Sequence, residues 1–173
     1  VEAFAGKKVL HVGCGKSPLP AWFAGAIETR LDIDPIHGPD IVADMLDVEV
    51  ACGDKYDVVF SNHALEHLYP QQVIEALEGF RGVLEDGGIV IAIVPNLKGI
   101  EATDKVVYEA PSGPVTGMDM IYGLVRVLDK MPYMAHHCGF VKESLERAYE
   151  VAGYKSCHVT EDTTFNLIAV GTT

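Results

Sequence analysis

The sequence predicts an α/β domain built on a parallel sheet with helices packed on its faces. Three observations carry that prediction. Short apolar runs alternate along the chain with stretches of helical periodicity or turn residues, as successive βαβ units do. Residues 88–94, GIVIAIV, are apolar almost throughout, as a central strand buried on both faces requires. Near the N-terminus, residues 8–17, KVLHVGCGKS, carry an apolar run straight into a turn with Gly13 and Gly15. A strand that ends in such glycines brings its backbone close to a ligand.

Taken in order, residues 7–12 form the first strand, 27–33 the second, 40–43 a short third and 56–61 (YDVVFS) the fourth. Residues 88–94 are the fifth. Residues 158–160 and 165–170 close the sheet as an antiparallel pair, because 161–164 is short enough for a hairpin turn. Two helices are clear. In 71–85, Val73, Ile74, Leu77, Phe80 and Leu84 recur at helical spacing, and Asp86-Gly87-Gly88 stops the helix. In 142–152, Leu145, Ala148, Tyr149 and Ala152 make the apolar face, and Gly153 stands where a helix ends. Val141 offers no side-chain cap at its start. The first crossover, 18–25, holds two prolines and a Trp and has little room for a helix.

Residues 97–138 break this rhythm with Pro111, Gly113, Pro114, Gly117, Gly123 and Pro132. A segment of that length between regular elements reads as a lid or substrate insert. Its Met118, Met120, Ile121, Tyr122, Met131, Tyr133 and Met134 argue against disorder. A short helix is expected at 119–128.

At 173 residues the chain is expected to be one domain, 1–173, with that insert inside it. A formal net charge of −12 disfavours nucleic acid or an anionic membrane as the main partner. No apolar run approaches the ~20 residues of a membrane span. Residues 1–6 have no basic region leading into an apolar stretch, so no signal peptide is expected. The four cysteines, Cys14, Cys52, Cys138 and Cys157, are scattered and fit reduced thiols in the cytoplasm.

The glycine loop reads GCGKSP. A dinucleotide-binding turn wants a third glycine where Pro18 stands, which weakens a nicotinamide or flavin reading. No P-loop spacing is present. Leu31-Asp32-Ile33-Asp34-Pro35 places a carboxylate at the end of the second strand, about 20 residues after the glycines, where an acid accepts both hydroxyls of a ribose. A solvated acid opening a turn is the plainer alternative. Asp44, after the third strand, suits either an adenine amino group, with Met45 covering the ring, or the N-cap of a short helix. HALEH (63–67) matches an inverted zinc-protease motif, H-x-x-E-H. Zinc chemistry needs a third ligand and an open site, and no following helix offers a Glu for it. A structural Glu66–His67 pair at a helix start is the plainer reading, and no metal is expected. His136, His137 and Cys138 are adjacent and point different ways, so a general base or a lid-orienting role suits them better than joint ligation. Asp119 and Tyr122 suit either substrate contact or a helix cap and a core aromatic.

In order, VLHVGCG, LDIDP, DIVADM, YDVVFSNHALEHL and LEDGGIVIAIVPN resemble a class I S-adenosylmethionine-dependent methyltransferase. More narrowly, the chain is similar to the small methyltransferase-domain group (type 11-like) with LEH after the fourth strand and VPN ending the fifth. The likeness covers 7–96 and resumes at 134–153, MAHHCGF and LERAYEVAGY. It implies a doubly wound, Rossmann-like, seven-stranded sheet, mostly parallel with one antiparallel strand and helices on both faces. It also implies S-adenosylmethionine as cofactor. The implied cofactor residues are His11, Gly13, Cys14, Gly15, Asp32, Ile33, Asp44, Met45, Asn62 and His63, with Asp32 on the ribose and Ile33, Asp44 and Met45 around the adenine. Asn62 and His63 would line the methyl-donor pocket. His63 or His136 would serve as general base, and Asp119, Tyr122 and His137 would meet a small-molecule acceptor. His11 departs from the group, which has an acid there. A non-catalytic cofactor-binding module and, less favoured, a nicotinamide-dependent oxidoreductase remain the alternatives.

Overall fold

The computed structural model describes residues 3–110 and 113–173. Val1 and Glu2 of the N-terminal stretch, and Pro111 of the insert, lie outside the described residues. Nine strands are described: β1 (Lys8–Val12), β2 (Ile27–Asp32), β3 (Ile41–Val42), β4 (Tyr56–Asn62), β5 (Leu84–Pro95), β6 (Val106–Ala110), β7 (Gly113–Thr116), β8 (Ser156–Glu161) and β9 (Asn166–Thr172). Seven form one sheet in the order β3-β2-β1-β4-β5-β9-β8. All neighbours are parallel except that β9 runs antiparallel to both β5 and β8. The chain winds outward from β1 to β3 and then returns to lay β4 on the other side of β1. That reversal opens a crevice at the carboxyl ends of β1 and β4, where ligands bind in such sheets.

Strand alternation sorts the core into two faces. Leu10, Val12, Val59, Val90, Ala92, Val94, Leu167 and Ala169 point to one face. There they meet α1 (Val48–Ala51), α2 (Pro70–Gly82) and α5 (Lys142–Val151) through Val48, Leu77, Phe80, Leu145 and Tyr149. Val9, Val58, Phe60 and Ile91 point to the other face. Among the described residues no α-helix covers that face. It is closed by Phe4 and by Phe23 of a 3-10 turn, Ala21–Phe23. This differs from helices on both faces: the two outward crossovers are short, the first holding only the turn after Pro20 and the second a single 3-10 turn, Pro35–His37, that the left-handed Gly38 ends.

Local boundaries also differ from the periodicity. α2 ends at Gly82, and Leu84 already pairs with Tyr56 as the first residue of β5. Asp86-Gly87-Gly88 therefore forms an irregularity inside β5, with Gly87 at φ +78, rather than a helix stop. At α5 the cap that Val141 cannot offer is replaced by Ser144, whose Oγ accepts the Val141 N–H at 3.0 Å.

The insert is built from the β6–β7 hairpin, α3 (Gly117–Tyr122), α4 (Val125–Leu128) and a 3-10 turn, Pro132–Met134. The hairpin was not predicted, and the single helix expected at 119–128 is two helices broken at Gly123, which sits at φ +90. Tyr133 Oη donates to Asp34 Oδ2 at 2.7 Å, Tyr108 stacks on Phe165 at 5.6 Å, and His137 N–H donates to Glu66 O at 2.9 Å. These contacts tie the insert to the segments that follow β2, β4 and β8, so it lies over the carboxyl ends of the strands. No described helix is long and apolar enough to cross a membrane.

Candidate active site

The site grows from the end of β1. Gly13 takes φ +64 and Gly15 φ +50, a region that L side chains disfavour. A Cβ on Gly13 would stand 2.6 Å from Ala64 Cβ, so the loops after β1 and β4 touch only because Gly13 has none. A Cβ on Gly15 would meet nothing within 4 Å. The Gly13 and Cys14 N–H groups both donate to Leu31 O, which seats the loop on β2.

Asp32 ends β2 and is 7% exposed. Its Oδ2 accepts the Gly15 N–H at 2.7 Å and its Oδ1 the Asp34 N–H at 2.9 Å. Each oxygen thus has one backbone donor and further lone pairs to offer. Ile33, next along, is 54% exposed, an apolar surface beside that carboxylate. Asp44 Oδ1 accepts the Leu46 N–H at 3.0 Å, so Asp44 caps the 3-10 turn Met45–Asp47. Met45 reaches back to Gly13, its Cε 3.9 Å from where a Cβ would be.

A charged network underlies the loop. Arg30 donates to Gly15 O at 2.7 Å and to Ser17 O at 3.0 Å. The same guanidinium lies 3.3 Å from Glu28 Oε1, which also receives the His11 Nδ1–H at 2.8 Å. His11 is buried, and burial holds its pKa below the ordinary value against the pull of Glu28. The acid missing from β1 is therefore present one strand away, as Glu28. Sequence reasoning missed Glu28 and Arg30. The signal was there: Glu28, Arg30 and Asp32 alternate along one side of β2, where apolar residues would be expected. Cys14 is buried, which raises its thiol pKa and keeps it protonated.

At the end of β4, Asn62 is followed by His63 at φ +52, anchored by its N–H to Ile93 O. The His63 side chain is 41% exposed, and its Nδ1 lies 3.2 Å from Oε1 of buried Glu66. Burial opposes the charge on His63, but Glu66, Asn166 and Asp162 outweigh it and raise the His63 pKa. Burial likewise opposes ionisation of Glu66, but His63, His67 and His136 hold its pKa below the usual carboxyl value. HALEH does not form a helix: Leu65–His67 is a 3-10 turn, so His63 and His67 do not share a helical face.

The insert's residues divide. Of the two roles open to Asp119, substrate contact or a helix cap, the geometry takes the cap. Its Oδ2 accepts the Thr116 N–H and hydroxyl and its Oδ1 the Val125 N–H, so the carboxylate is spent on capping α3 and seating α4. His137 is exposed and stacks on Tyr69 at 4.4 Å. Tyr122 is 52% exposed and its carbonyl accepts the His136 N–H. His136 Nδ1 lies 3.0 Å from Met120 O, His67 Nδ1 lies 3.2 Å from Ala135 O, and the two rings are 5.2 Å apart. Burial lowers the His136 pKa. Cys138 directs its thiol at Leu65 O, and burial pushes its pKa up to about 12.

Residues 10–92 match the family described as a methyltransferase domain. No curated protein matches the chain significantly in sequence. Solved structures match it in fold. A DhpI–SAH complex is 19% identical, with 95% of this chain and 75% of that one covered and a TM-score of 0.62. Magnesium protoporphyrin IX methyltransferase from Synechocystis, with SAH bound, is 16% identical over 97% and 74%, TM-score 0.59. The CurJ carbon methyltransferase is 13% identical over 98% and 49%, TM-score 0.66. The chain spans about half the length of several such proteins, 52% of one and 51% of another. The sheet is the Rossmann-like methyltransferase sheet, with β9 as its antiparallel strand.

Proposed function

We propose that this chain, whose residues 10–92 carry a methyltransferase domain, moves a methyl group from S-adenosylmethionine to a small-molecule acceptor by in-line displacement. One observation carries the reading. Asp32, at the end of β2, is clamped by the Gly15 and Asp34 N–H groups beside a glycine loop that no Cβ fills.

The residues present fit that cofactor. Asp32 keeps lone pairs for two ribose hydroxyls, and exposed Ile33 offers an apolar face to an adenine, with Met45 on the same rim. Asp44 caps a turn with one oxygen, which leaves its other for an amino group. Gly13, Cys14 and Gly15 follow the end of β1 and Asn62 ends β4, so their backbone would meet a cofactor at those strand ends, with buried His11 on β1 behind the loop. When bound, S-adenosylmethionine supplies a methyl group already activated by its sulfonium charge, so the protein's task is mainly alignment. Arg30 contributes by pinning two loop carbonyls. His63, half-exposed at the end of β4 with Glu66 behind it, is the side chain best placed to take a proton from an acceptor. The insert at 97–138 covers the crevice and would set acceptor choice through residues such as Tyr122.

The charge of −12 and the four free cysteines support a small-molecule acceptor in a reducing compartment, the cytoplasm, rather than a nucleic-acid partner. Calorimetric titration with S-adenosylhomocysteine tests the reading. Binding is expected, and Asp32→Ala should weaken it by at least about tenfold, the loss of one charge-assisted contact. Binding of NAD instead, or full affinity in Asp32→Ala, refutes the assignment.

A further inference from the structure

Beside the crevice, where the segment leaving the insert crosses the turn after β4, three side chains converge: Glu66, which also backs His63, and His67 and His136, which the proposed methyl transfer does not use. Glu66 and His67 come from the turn Leu65–His67, and His136 comes from the far end of the insert. Each places one ligand-type atom within 4.8 Å of the other two. The backbone holds the two segments together, because the His137 and Cys138 N–H groups both donate to Glu66 O.

Glu66 is 1% exposed, and neither carboxylate oxygen accepts a well-formed hydrogen bond among the described residues. Buried carboxylates persist when they are paired or coordinate a metal. Among the described residues the one ion-pair contact of Glu66 is with His63 Nδ1, 3.2 Å from Oε1. The two imidazoles are oriented from behind. His67 Nδ1 faces Ala135 O and His136 Nδ1 faces Met120 O. A carbonyl only accepts, so each Nδ1 carries the proton and the neutral ring's lone pair is on Nε2. Metal-binding histidines are held in this way, by a second-shell acceptor on the other nitrogen. A buried carboxylate and two imidazoles whose Nδ1 protons are turned away to carbonyls form a donor set that a cation satisfies.

We propose that Glu66, His67 and His136 bind one divalent transition-metal ion of the zinc, cobalt or iron class. Two imidazoles and one carboxylate suit those ions, whereas magnesium and calcium favour all-oxygen ligands. Three protein ligands leave positions open for water or another small ligand. The site differs from the one HALEH suggests in sequence: Glu66 takes the place of His63 beside His67, and His136 supplies the third ligand. The ion clips the insert onto the end of β4, so the proposal stands whether or not the crevice transfers methyl groups.

The test is direct binding to the full chain, tag-free and stripped with a chelator. Titration with Co²⁺ should give one equivalent, a visible d–d absorption, and a rise in Tm that EDTA reverses, while Mg²⁺ should give no such rise. His136→Ala and Glu66→Gln should each weaken Co²⁺ binding by more than about tenfold, and His137→Ala should not. Should Glu66→Gln fail to fold, His136→Ala decides the matter. No Co²⁺ binding by the wild type, or the same affinity in His136→Ala, overturns the proposal. It would mean that the contact with His63 is what balances Glu66.

Discussion

Gly13→Ala is the substitution whose cost follows most directly from geometry. Two separate penalties apply. The residue sits at φ +64, and holding an L side chain in that region costs about 1–2 kcal/mol. The new methyl would also stand 2.6 Å from Ala64 Cβ, and overpacking a buried contact costs about 1–3 kcal/mol. The expected loss is their sum, about 2–5 kcal/mol. Ala64→Gly removes the atom that is struck. Alone it should cost about 1–2 kcal/mol, from one buried methyl and a freer unfolded chain. In the double variant the clash is gone but the backbone strain stays. The two changes should therefore couple favourably by about 1–3 kcal/mol, well outside the ~0.5 kcal/mol scatter of additive pairs. Urea unfolding of the wild type, both single variants and the double variant measures this. At this chain length each kcal/mol moves Tm by about 2–4 °C, so a thermal series should agree. An additive cycle would refute the claim that close approach of the loops after β1 and β4 is what Gly13 serves.

Two further predictions concern groups that the fold, rather than the motif, put to use. Arg30→Met removes the bonds to Gly15 O and Ser17 O and should cost about 1–3 kcal/mol in urea unfolding, with weaker S-adenosylhomocysteine binding. Arg30→Lys should restore little, since an ammonium cannot reach both carbonyls as the guanidinium fork does, and full recovery would contradict the pinning role. At Asp119 burial favours the neutral acid, but bonds from the Thr116 N–H and hydroxyl and the Val125 N–H outweigh it and depress the pKa. A depressed folded pKa contributes stability above the unfolded value of about 3.9, lost as pH falls through the folded pKa. The stability gap between wild type and Asp119→Asn should thus be full at pH 7 and shrink below about pH 4. A gap equally large at pH 3 would show that the carboxylate's charge is not what holds α3.

The sequence by itself determined what local patterns can encode. Apolar runs set β1, β4 and β5, helical spacing set α2 and α5, and a glycine-containing turn followed by Asp32 marked the crevice. Those signals act within a few residues, where side-chain direction follows from the backbone alone. Local competition left boundaries open, so Gly87 became an irregularity within β5 rather than a stop to α2. Tertiary structure decided what depends on segments distant in the chain. It turned Glu28 and Arg30 into supports for the loop at 13–17 because β2 lies beside β1 in register, with His11 opposite Arg30. It spent Asp119 on a cap, left one face of the sheet to a 3-10 turn, and brought His136 back over Glu66 and His67. Such pairings depend on how whole elements dock, and docking is set by the summed packing of the sheet and not by any single stretch of residues.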